Sequence, residues 1–258
     1  MTIFMITPAH CRPPRASKLA PCRTIDDYAR AFALAGTLRL ARDARGGRCC
    51  VAARALASGE FVLAERAVYA AADRGDKLFN ALAFATDVAS DGSAARRRLL
   101  AELCDSTDRA RDVAARLDAD ALDALRDAGA DPDAAAWRER VLALMGRYLS
   151  NAHELAATDA VGVFPLASMI NHDCAPNCEL AVDASGVLYV RGARAVAAGE
   201  ELSYSYIDAA DLRKTAAARR RVLSRAFHFR CACARCRAED APPAPGLARA
   251  LPGRKRKR

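Results

Sequence analysis

The run Asn171-His172-Asp173-Cys174-Ala175-Pro176-Asn177 places the strongest limit on the local structure that this chain can adopt. Amide, imidazole and thiol side chains follow one another with a proline among them, so the run fits neither a regular helix nor a central strand. The largely apolar segment 163–170 precedes it and is expected to pack in a core. The run is therefore predicted to be an ordered loop whose polar atoms face a ligand or a metal.

A second informative stretch begins at Gly199-Glu200-Glu201 and continues to Ile207. The first three residues are typical of a turn. Between Leu202 and Ile207, aromatic and apolar residues alternate with serine, which predicts a strand.

Cysteine usage indicates thiols and metal ligands. The chain has 10 cysteines and no apolar secretory segment, so a disulfide framework is disfavoured. Cys231, Cys233 and Cys236 are spaced by two and three residues, and such a cluster can wrap one zinc ion from a single loop if a fourth ligand is supplied. The more scattered cysteines are predicted to be buried thiols; these are Cys11, Cys22, Cys49, Cys50 and Cys104.

Length and charge restrict the class of protein. With 258 residues the chain can hold one large or two small domains. No uninterrupted apolar run of about 18 residues is present, which predicts no membrane association. Of the formal charge of +9, residues 254–258 supply five, so the rest of the chain is only mildly basic.

The amino-terminal half is predicted to hold strands followed by helices. Residues 1–35 form a basic, proline-containing extension that we expect to be disordered, with organellar targeting as an alternative reading and a short helix from Ile25 to Ala35. Strands are predicted at 37–41, 49–54 and 61–64, joined by glycine turns. Residues 76–149 have helical periodicity, and their last helix carries Trp137, Val141, Leu144 and Tyr148 on one face.

The carboxyl-terminal half is predicted to contain a hairpin, a helix and a tail. Residues 178–182 and 187–190 form the hairpin. One helix starts at Asp208 or Asp211 and runs through Phe227 to the cysteine cluster. Residues 239–258 are rich in proline and basic residues and are predicted to be disordered, with nuclear import or attraction to nucleic acid as roles and simple solvation as the alternative.

These motifs together resemble one known family. The Asn171–Asn177 run, the Gly199-Glu200-Glu201-Leu202 turn with Tyr206 four residues on, and the Cys231–Cys236 cluster occur in the order found in SET-domain protein lysine methyltransferases. The resemblance is closest to the SET/MYND group, although only Cys104 stands where the cysteine-rich MYND module occurs, so that module is predicted to be absent.

The resemblance implies an α+β fold, mainly β, with short sheets around a threaded, knot-like loop. It predicts a SET domain at 36–210 with a helical insert at about 76–149. A post-SET helix and zinc-binding segment follow at 211–238. It also implies the cofactors S-adenosylmethionine and zinc.

The resemblance also assigns roles to individual residues. Tyr206 is the residue beside the reacting atoms, and Phe227 and Tyr204 line the substrate channel. Cys174 is the expected fourth zinc ligand, with Cys178 and His228 as alternatives to it. The other three zinc ligands are Cys231, Cys233 and Cys236. The residues predicted to contact the methyl donor are Gly47, Arg48, Asn151, Asn171, His172 and Phe229.

Several positions depart from the family pattern. Cys49 stands where a second glycine is common, which affects how closely the backbone can approach a ligand. Asp173 replaces the usual serine, and Phe227 stands where relatives often have tyrosine. His153 stands where phenylalanine is usual, and we interpret it as incidental.

The predicted function is S-adenosylmethionine-dependent methylation of protein lysines, histone or non-histone, by a monomeric enzyme of the nucleus or cytoplasm. The basic tail suggests contact with chromatin. The alternative is a non-enzymatic SET-fold interaction module stapled by zinc. A dedicated nucleic-acid binder fits poorly, because the basic residues lack interleaved aromatic residues.

Overall fold

The computed structural model describes residues 24–32, 36–43, 47–90, 93–104, 111–112, 115, 135–155 and 159–240. Most of the predicted amino-terminal extension, part of the glycine turn near residue 46 and nearly all of the tail lie outside the described residues. The chain divides into two compact units, Met1–Tyr206 and Ile207–Arg258.

The first unit contains short strands and an insertion of longer helices. Its described strands are β1 (Leu38–Arg42), β2 (Arg48–Ala52), β3 (Phe61–Arg66), β4 (Tyr69–Ala72), β5 (Ala152–Leu155), β6 (Ala160–Val163), β7 (Asn171–His172), β8 (Cys178–Val182), β9 (Val187–Gly192) and β10 (Ser203–Tyr204). Its described helices are α1 (Ile25–Phe32), α2 (Lys77–Ser90), α3 (Ala94–Ala101) and α4 (Ala135–Asn151), with a 3₁₀ turn at Ala167–Met169.

The strands form several small sheets. β1 pairs with β2, β9 lies between β3 and β8, and β6 lies between β4 and β5, all antiparallel. The fourth sheet is the parallel pair β7 and β10. The predicted combination of short sheets, the 178–190 hairpin and a helical insertion is confirmed, whereas the threading of a loop stays a prediction.

The helical insertion is joined to the sheets by aromatic packing. Val141 and Tyr148 are buried along α4, as the sequence period predicts. The predicted Leu144 is only half-buried, and its neighbour Met145 is buried instead. The ring of Phe84 in α2 lies 5.3 Å from that of Tyr148 and 4.8 Å from that of Tyr69 in β4, between ring centroids. Each such buried side chain stabilises the fold by roughly 1.5–3 kcal/mol. The side chain of Trp137 lies outside the described residues.

Two turns of similar sequence lead into β3 and β10. Arg54 and Glu60 form an ion pair at 2.6 Å, and so do Arg194 and Glu200. In each turn the glutamate also accepts a main-chain hydrogen bond from an alanine three residues earlier. Gly199 has φ +80°, a conformation that glycine adopts without strain. The second turn thereby sets the direction in which the chain enters β10.

The second unit is helical in its described part and contains α5 (Ala209–Leu212), α6 (Ala216–Phe227) and α7 (Ala234–Asp240). The prediction of one continuous helix, starting at Asp208 or Asp211 and running through Phe227, is wrong. Asp208 caps α5 by accepting from the N–H of Asp211, and Thr215 caps α6 by accepting from the N–H of Ala218. Thr215 must be extended to do so, which interrupts the helix.

Within the part of the chain that the structure describes, no helix combines the length and apolar character that a membrane crossing requires.

Candidate functional site

The two motifs singled out in the sequence meet in the parallel pair of β7 and β10. Asn171 is opposite Ser203, and His172 is opposite Tyr204. The N–H of Asp173 donates to the carbonyl of Tyr204 at 3.2 Å and extends the pairing by one residue. The predicted strand at 202–207 is therefore shortened to Ser203–Tyr204.

Asn177 joins the two motifs by hydrogen bonds. Its side chain is buried, with 2% exposed, and its amide nitrogen donates to the Glu200 carboxylate at 3.0 Å and to the Glu201 carbonyl at 2.8 Å. Its Oδ1 accepts from the N–H of Ser203 at 2.8 Å. The sequence places this asparagine in the motif but does not reveal its bridging role, because Glu200, Glu201 and Ser203 are distant from it in the chain.

The hydrogen bonds of His172 define its tautomer. Its Nδ1 accepts from the main-chain N–H of Tyr206 at 3.0 Å. A neutral imidazole carries its proton on the other nitrogen, and Nε2 lies 3.2 Å from Sγ of Cys174. Nε2–H therefore donates to that sulfur.

Tyr206 is held from both ends. Its hydroxyl donates to the carbonyl of Ile170 at 2.8 Å, and its ring lies 5.0 Å from Tyr204 and 5.4 Å from His172, between centroids. Burial raises the pKa of the Tyr206 phenol well above its ordinary value. The hydroxyl is therefore protonated at neutral pH and can orient a neighbouring group without acting as a base.

His153 and Tyr204 form a half-buried polar pair beside Tyr206. His153 Nε2 is 3.0 Å from the Tyr204 hydroxyl, and the His153 ring lies edge-on to Phe164 at 5.6 Å. Burial lowers the pKa of His153 to about 4, so the ring that shares a hydrogen bond with the hydroxyl is neutral at pH 7. His153 thus has a polar partner beside Tyr206, and the interpretation that it is incidental to function stays a prediction.

Asn171 lies next to the predicted donor-binding backbone. Its amide nitrogen donates to the Glu201 carboxylate at 2.8 Å and lies 3.5 Å from the carbonyl of Arg48. The guanidinium of Arg48 pairs with Glu102 at 3.6 Å. Gly47 is exposed, and its N–H donates to Asp43 at 2.8 Å. The fold thus brings Arg48 and Asn171, which are 123 positions apart in the sequence, next to each other.

Asn151 ends α4 and is buried. Its amide nitrogen donates to the carbonyls of Arg147 at 2.7 Å and Cys104 at 2.8 Å. Both N–H groups of the amide are therefore used within the protein, and only Oδ1 is available for the predicted donor contact.

The cysteines fall into distinct environments. The sulfur atoms of Cys174, Cys231, Cys233 and Cys236 all lie within 4.8 Å of one another. Neither alternative to Cys174 belongs to this group: Cys178 is buried in β8, where burial raises the pKa of its thiol to about 11, and His228 is exposed. Four thiols at this spacing suit tetrahedral zinc.

Two arginines of α6 surround the cysteines of the second unit. Arg219, with none of its surface exposed, donates to Sγ of Cys236 at 3.2 Å and to Glu239 at 2.9 Å. Arg220 donates from Nε to the carbonyl of Cys231 at 2.9 Å. These cations lower the cost of collecting thiolates in one place. The sequence reading missed both, since arginine at a helix position is usually solvated.

The remaining predicted residues differ in burial. Phe227 and Phe229 are half-buried in the second unit, on either side of His228, which has the left-handed φ of 58°. Cys49 and Cys50 are buried in β2, as predicted for scattered thiols. Cys104 is exposed, so that prediction is wrong for it. Cys11 and Cys22 lie outside the described residues.

The model of the SET domain family matches residues 47–207, which is more than half of the chain. This chain belongs to the SET domain family. The matched segment contains β7, β10 and Tyr206, whereas Cys231, Cys233 and Cys236 follow it in the chain.

Proteins with curated descriptions are similar to part of this chain. Mouse (Mus musculus) histone-lysine N-methyltransferase SMYD3 is 38% identical over 80 residues, which is 31% of this chain and 18% of the relative. Mouse protein-lysine N-trimethyltransferase SMYD5 is 32% identical over 91 residues, which is 35% of this chain and 22% of the relative. The chain thus matches less than a quarter of the length of these relatives.

Among solved structures, Rubisco LSMT bound to sinefungin and monomethyllysine has a similar fold. The TM-score is 0.54 at 15% sequence identity, and the match covers 78% of this chain and 53% of that protein. At this identity the likeness establishes the SET fold.

Proposed function

We propose that this chain is an S-adenosylmethionine-dependent protein lysine N-methyltransferase. The observation that carries the proposal is the placement of Asn171, His172 and Tyr206, all half-buried, beside one another in one aromatic site. The relatives SMYD3 and SMYD5 are described as lysine methyltransferases, which supports the same reaction class.

The site's residues suit a reaction that needs orientation rather than a covalent intermediate. S-adenosylmethionine, when bound, supplies an electrophilic methyl group on a sulfonium. Tyr206 is the group that we assign to orient the lysine amine, because its hydroxyl is protonated and fixed on the Ile170 carbonyl. A lysine amine has a pKa of about 10.4 in water, and desolvation among buried rings lowers that pKa. The buried site therefore favours the neutral, nucleophilic amine.

The donor is assigned to the edge of the site where β2 approaches β7. There the backbone at Gly47 and Arg48 lies near Asn171, whose amide already contacts the Arg48 carbonyl. His172 and the Oδ1 of Asn151 complete the polar contacts, and Phe229 is assigned to the adenine. Tyr204 and Phe227 are assigned to the lysine channel, where their rings would exclude water.

We further propose that Cys174, Cys231, Cys233 and Cys236 hold a structural zinc ion. The donor set fits, because four cysteine sulfurs lie within 4.8 Å of one another and three of these residues are buried. The Nε2–H of His172 and the guanidinium of Arg219 donate to two of the sulfurs and stabilise their negative charge. The ion would hold Cys174 in place two residues from His172.

The substrate class follows from the same assignment. We propose that flexible lysines of histone or non-histone proteins are methylated, that the enzyme is monomeric and acts in the nucleus or cytoplasm, and that its basic tail contacts chromatin. Because the tail carries five basic residues at 254–258, salt should weaken that contact.

The test uses full-length protein and a methyl donor carrying a labelled methyl group. Labelled lysine identified by mass spectrometry in a mixture of histones and soluble proteins is the expected result, and Tyr206→Phe is the matched inactive control. Calorimetry measures donor binding in parallel. Donor binding without transfer would favour the non-enzymatic SET-fold module, and the lack of both would overturn the proposal.

A further inference from the structure

Glu65 is a buried carboxylate that the proposed mechanism does not use. It lies in β3, and none of its surface is exposed. Fully buried glutamates are rare because the charged form loses its hydration, so their oxygens require strong hydrogen bonds. The contacts of Glu65 therefore indicate why a carboxylate stands at this position.

Glu65 holds the start of the 3₁₀ turn that precedes β7. Its two oxygens accept from the N–H groups of Leu166 and Ala167, each at 2.9 Å. Leu166 stands at the N-cap position of the turn, and its apolar side chain cannot accept a hydrogen bond. Glu65 supplies the cap from a strand about a hundred residues away. The phenol of Tyr28 in α1 also bonds to Glu65.

The capped turn leads directly to the residues assigned to catalysis. The carbonyl of Ala167 accepts from the N–H of Ile170 at 3.1 Å, and the carbonyl of Ile170 accepts from the hydroxyl of Tyr206 at 2.8 Å. A short sequence of hydrogen bonds thus runs from Glu65 through the turn to the phenol. The residues after Ile170 are Asn171 and His172, which form β7.

We propose that Glu65 is a positioning residue for the methyl-transfer site, because it caps the turn that orients both the Tyr206 hydroxyl and the Asn171-His172 pair. The inference rests on the proposed function and adds a residue that does not touch the reacting atoms. Through Tyr28 it also makes helix α1 part of the support of the site.

A carboxylate suits this position better than its amide. Both oxygens of a glutamate accept hydrogen bonds, whereas glutamine presents one oxygen and one N–H₂ group. In Glu65→Gln one main-chain N–H of the turn would face another donor. The turn should then shift or open while the volume of the side chain is unchanged.

The experiment compares Glu65→Gln with Val62→Ala, which alters an equally buried residue of the same strand. For Glu65→Gln we expect kcat to fall and the donor dissociation constant to rise, each about tenfold. Both are measured at pH 8, above the pKa of about 7 of Glu65, and well below the melting temperature. Hydrogen–deuterium exchange at residues 166–170 should accelerate. Val62→Ala should lower the melting temperature and leave kcat, donor affinity and exchange in the turn unchanged.

A second variant keeps the test decisive if Glu65→Gln does not fold. Tyr28→Phe removes one hydrogen bond to Glu65 and should raise exchange at 166–170 and lower kcat by a smaller factor. Wild-type kcat, donor affinity and exchange in whichever variant folds would overturn the inference. An inactive wild-type protein would instead overturn the proposed function, and the exchange measurement would still decide whether Glu65 orders the turn.

Discussion

The main-chain N–H of Tyr206 donates to Nδ1 of His172, with 3.0 Å between the two nitrogens. This hydrogen bond places the imidazole proton on Nε2, from which it reaches the sulfur of Cys174. One histidine therefore connects the residue assigned to lysine methylation with a residue assigned to zinc. The predictions that follow separate these two roles.

Replacing Tyr206 by phenylalanine should reduce turnover on a lysine substrate at least about tenfold, a rise in the activation free energy of about 1.4 kcal/mol. The physical reason is the loss of the hydroxyl that orients the amine. Tyr189→Phe is the matched control, because that hydroxyl bonds to Asp183 in the β8–β9 hairpin. Turnover measured by donor consumption should be unchanged in the control, and equal rates in both variants would contradict the role of Tyr206.

His172→Ala should weaken donor binding at least about tenfold, equivalent to about 1.4 kcal/mol. Removal of the ring leaves the N–H of Tyr206 without its partner and removes the donor to Cys174. Titration calorimetry measures the dissociation constant directly. His228→Ala removes an exposed imidazole and serves as the control, and unchanged affinity in His172→Ala would count against the assignment.

The half-buried pair of His153 and Tyr204 should show coupled stability. His153→Phe removes the partner of the Tyr204 hydroxyl, and Tyr204→Phe removes the partner of His153 Nε2. Each should destabilise the fold by about 1–3 kcal/mol. The double variant replaces both partners by apolar rings and should lose less than the sum of the two. Urea unfolding at pH 7 gives the free energy of unfolding of each variant. If the losses in the two single variants add up to the loss in the double variant, the contact between the two side chains contributes nothing to stability.

Glu65 should make the free energy of unfolding fall as pH rises towards neutrality. Its pKa is raised from 4.5 to about 7 in the folded protein, mainly by burial. The folded state therefore binds the proton more strongly than the unfolded state does. The stabilisation that results is fully present below pH 4.5 and is lost as the pH rises through about 7.

The predicted slope is up to about 1.4 kcal/mol per pH unit within that window. His153 acts in the opposite direction, since its lowered pKa removes stability as pH falls towards about 4. Subtracting the unfolding free energies of Glu65→Gln from those of the wild type at pH 5, 6, 7 and 8 isolates the effect of Glu65. A difference that does not change with pH would contradict the prediction.

Zinc should be bound and should order the second unit. Cys236→Ser removes one of the four grouped sulfurs, whereas Cys104→Ser alters an exposed thiol outside the group. Metal analysis should find one zinc per chain in the wild type and in Cys104→Ser, and little in Cys236→Ser. Chelation should expose residues 207–240 to protease, because the ligands lose their common ion. Equal protection with and without metal would refute the structural role.

The family, the order of the motifs and the cysteine spacing were all readable from the sequence, because each depends on residues close together in the chain. The helical face of α4 and the β8–β9 hairpin follow from local periodicity in the same way. The break between α5 and α6 was missed, since either Asp208 or Thr215 can cap a helix and the sequence does not rank two adjacent caps.

By itself the sequence determined which chemical groups the chain possesses and in what order, since those are covalent facts. Only the tertiary structure decided that Glu65 caps a turn at Leu166, that Asn177 bridges to Ser203 and that His153 hydrogen-bonds to Tyr204. Each of these contacts joins residues more than twenty positions apart, and each involves a polar group that folding removes from water. Such a group must find a partner wherever the packed backbone offers one, and no local pattern encodes where that will be.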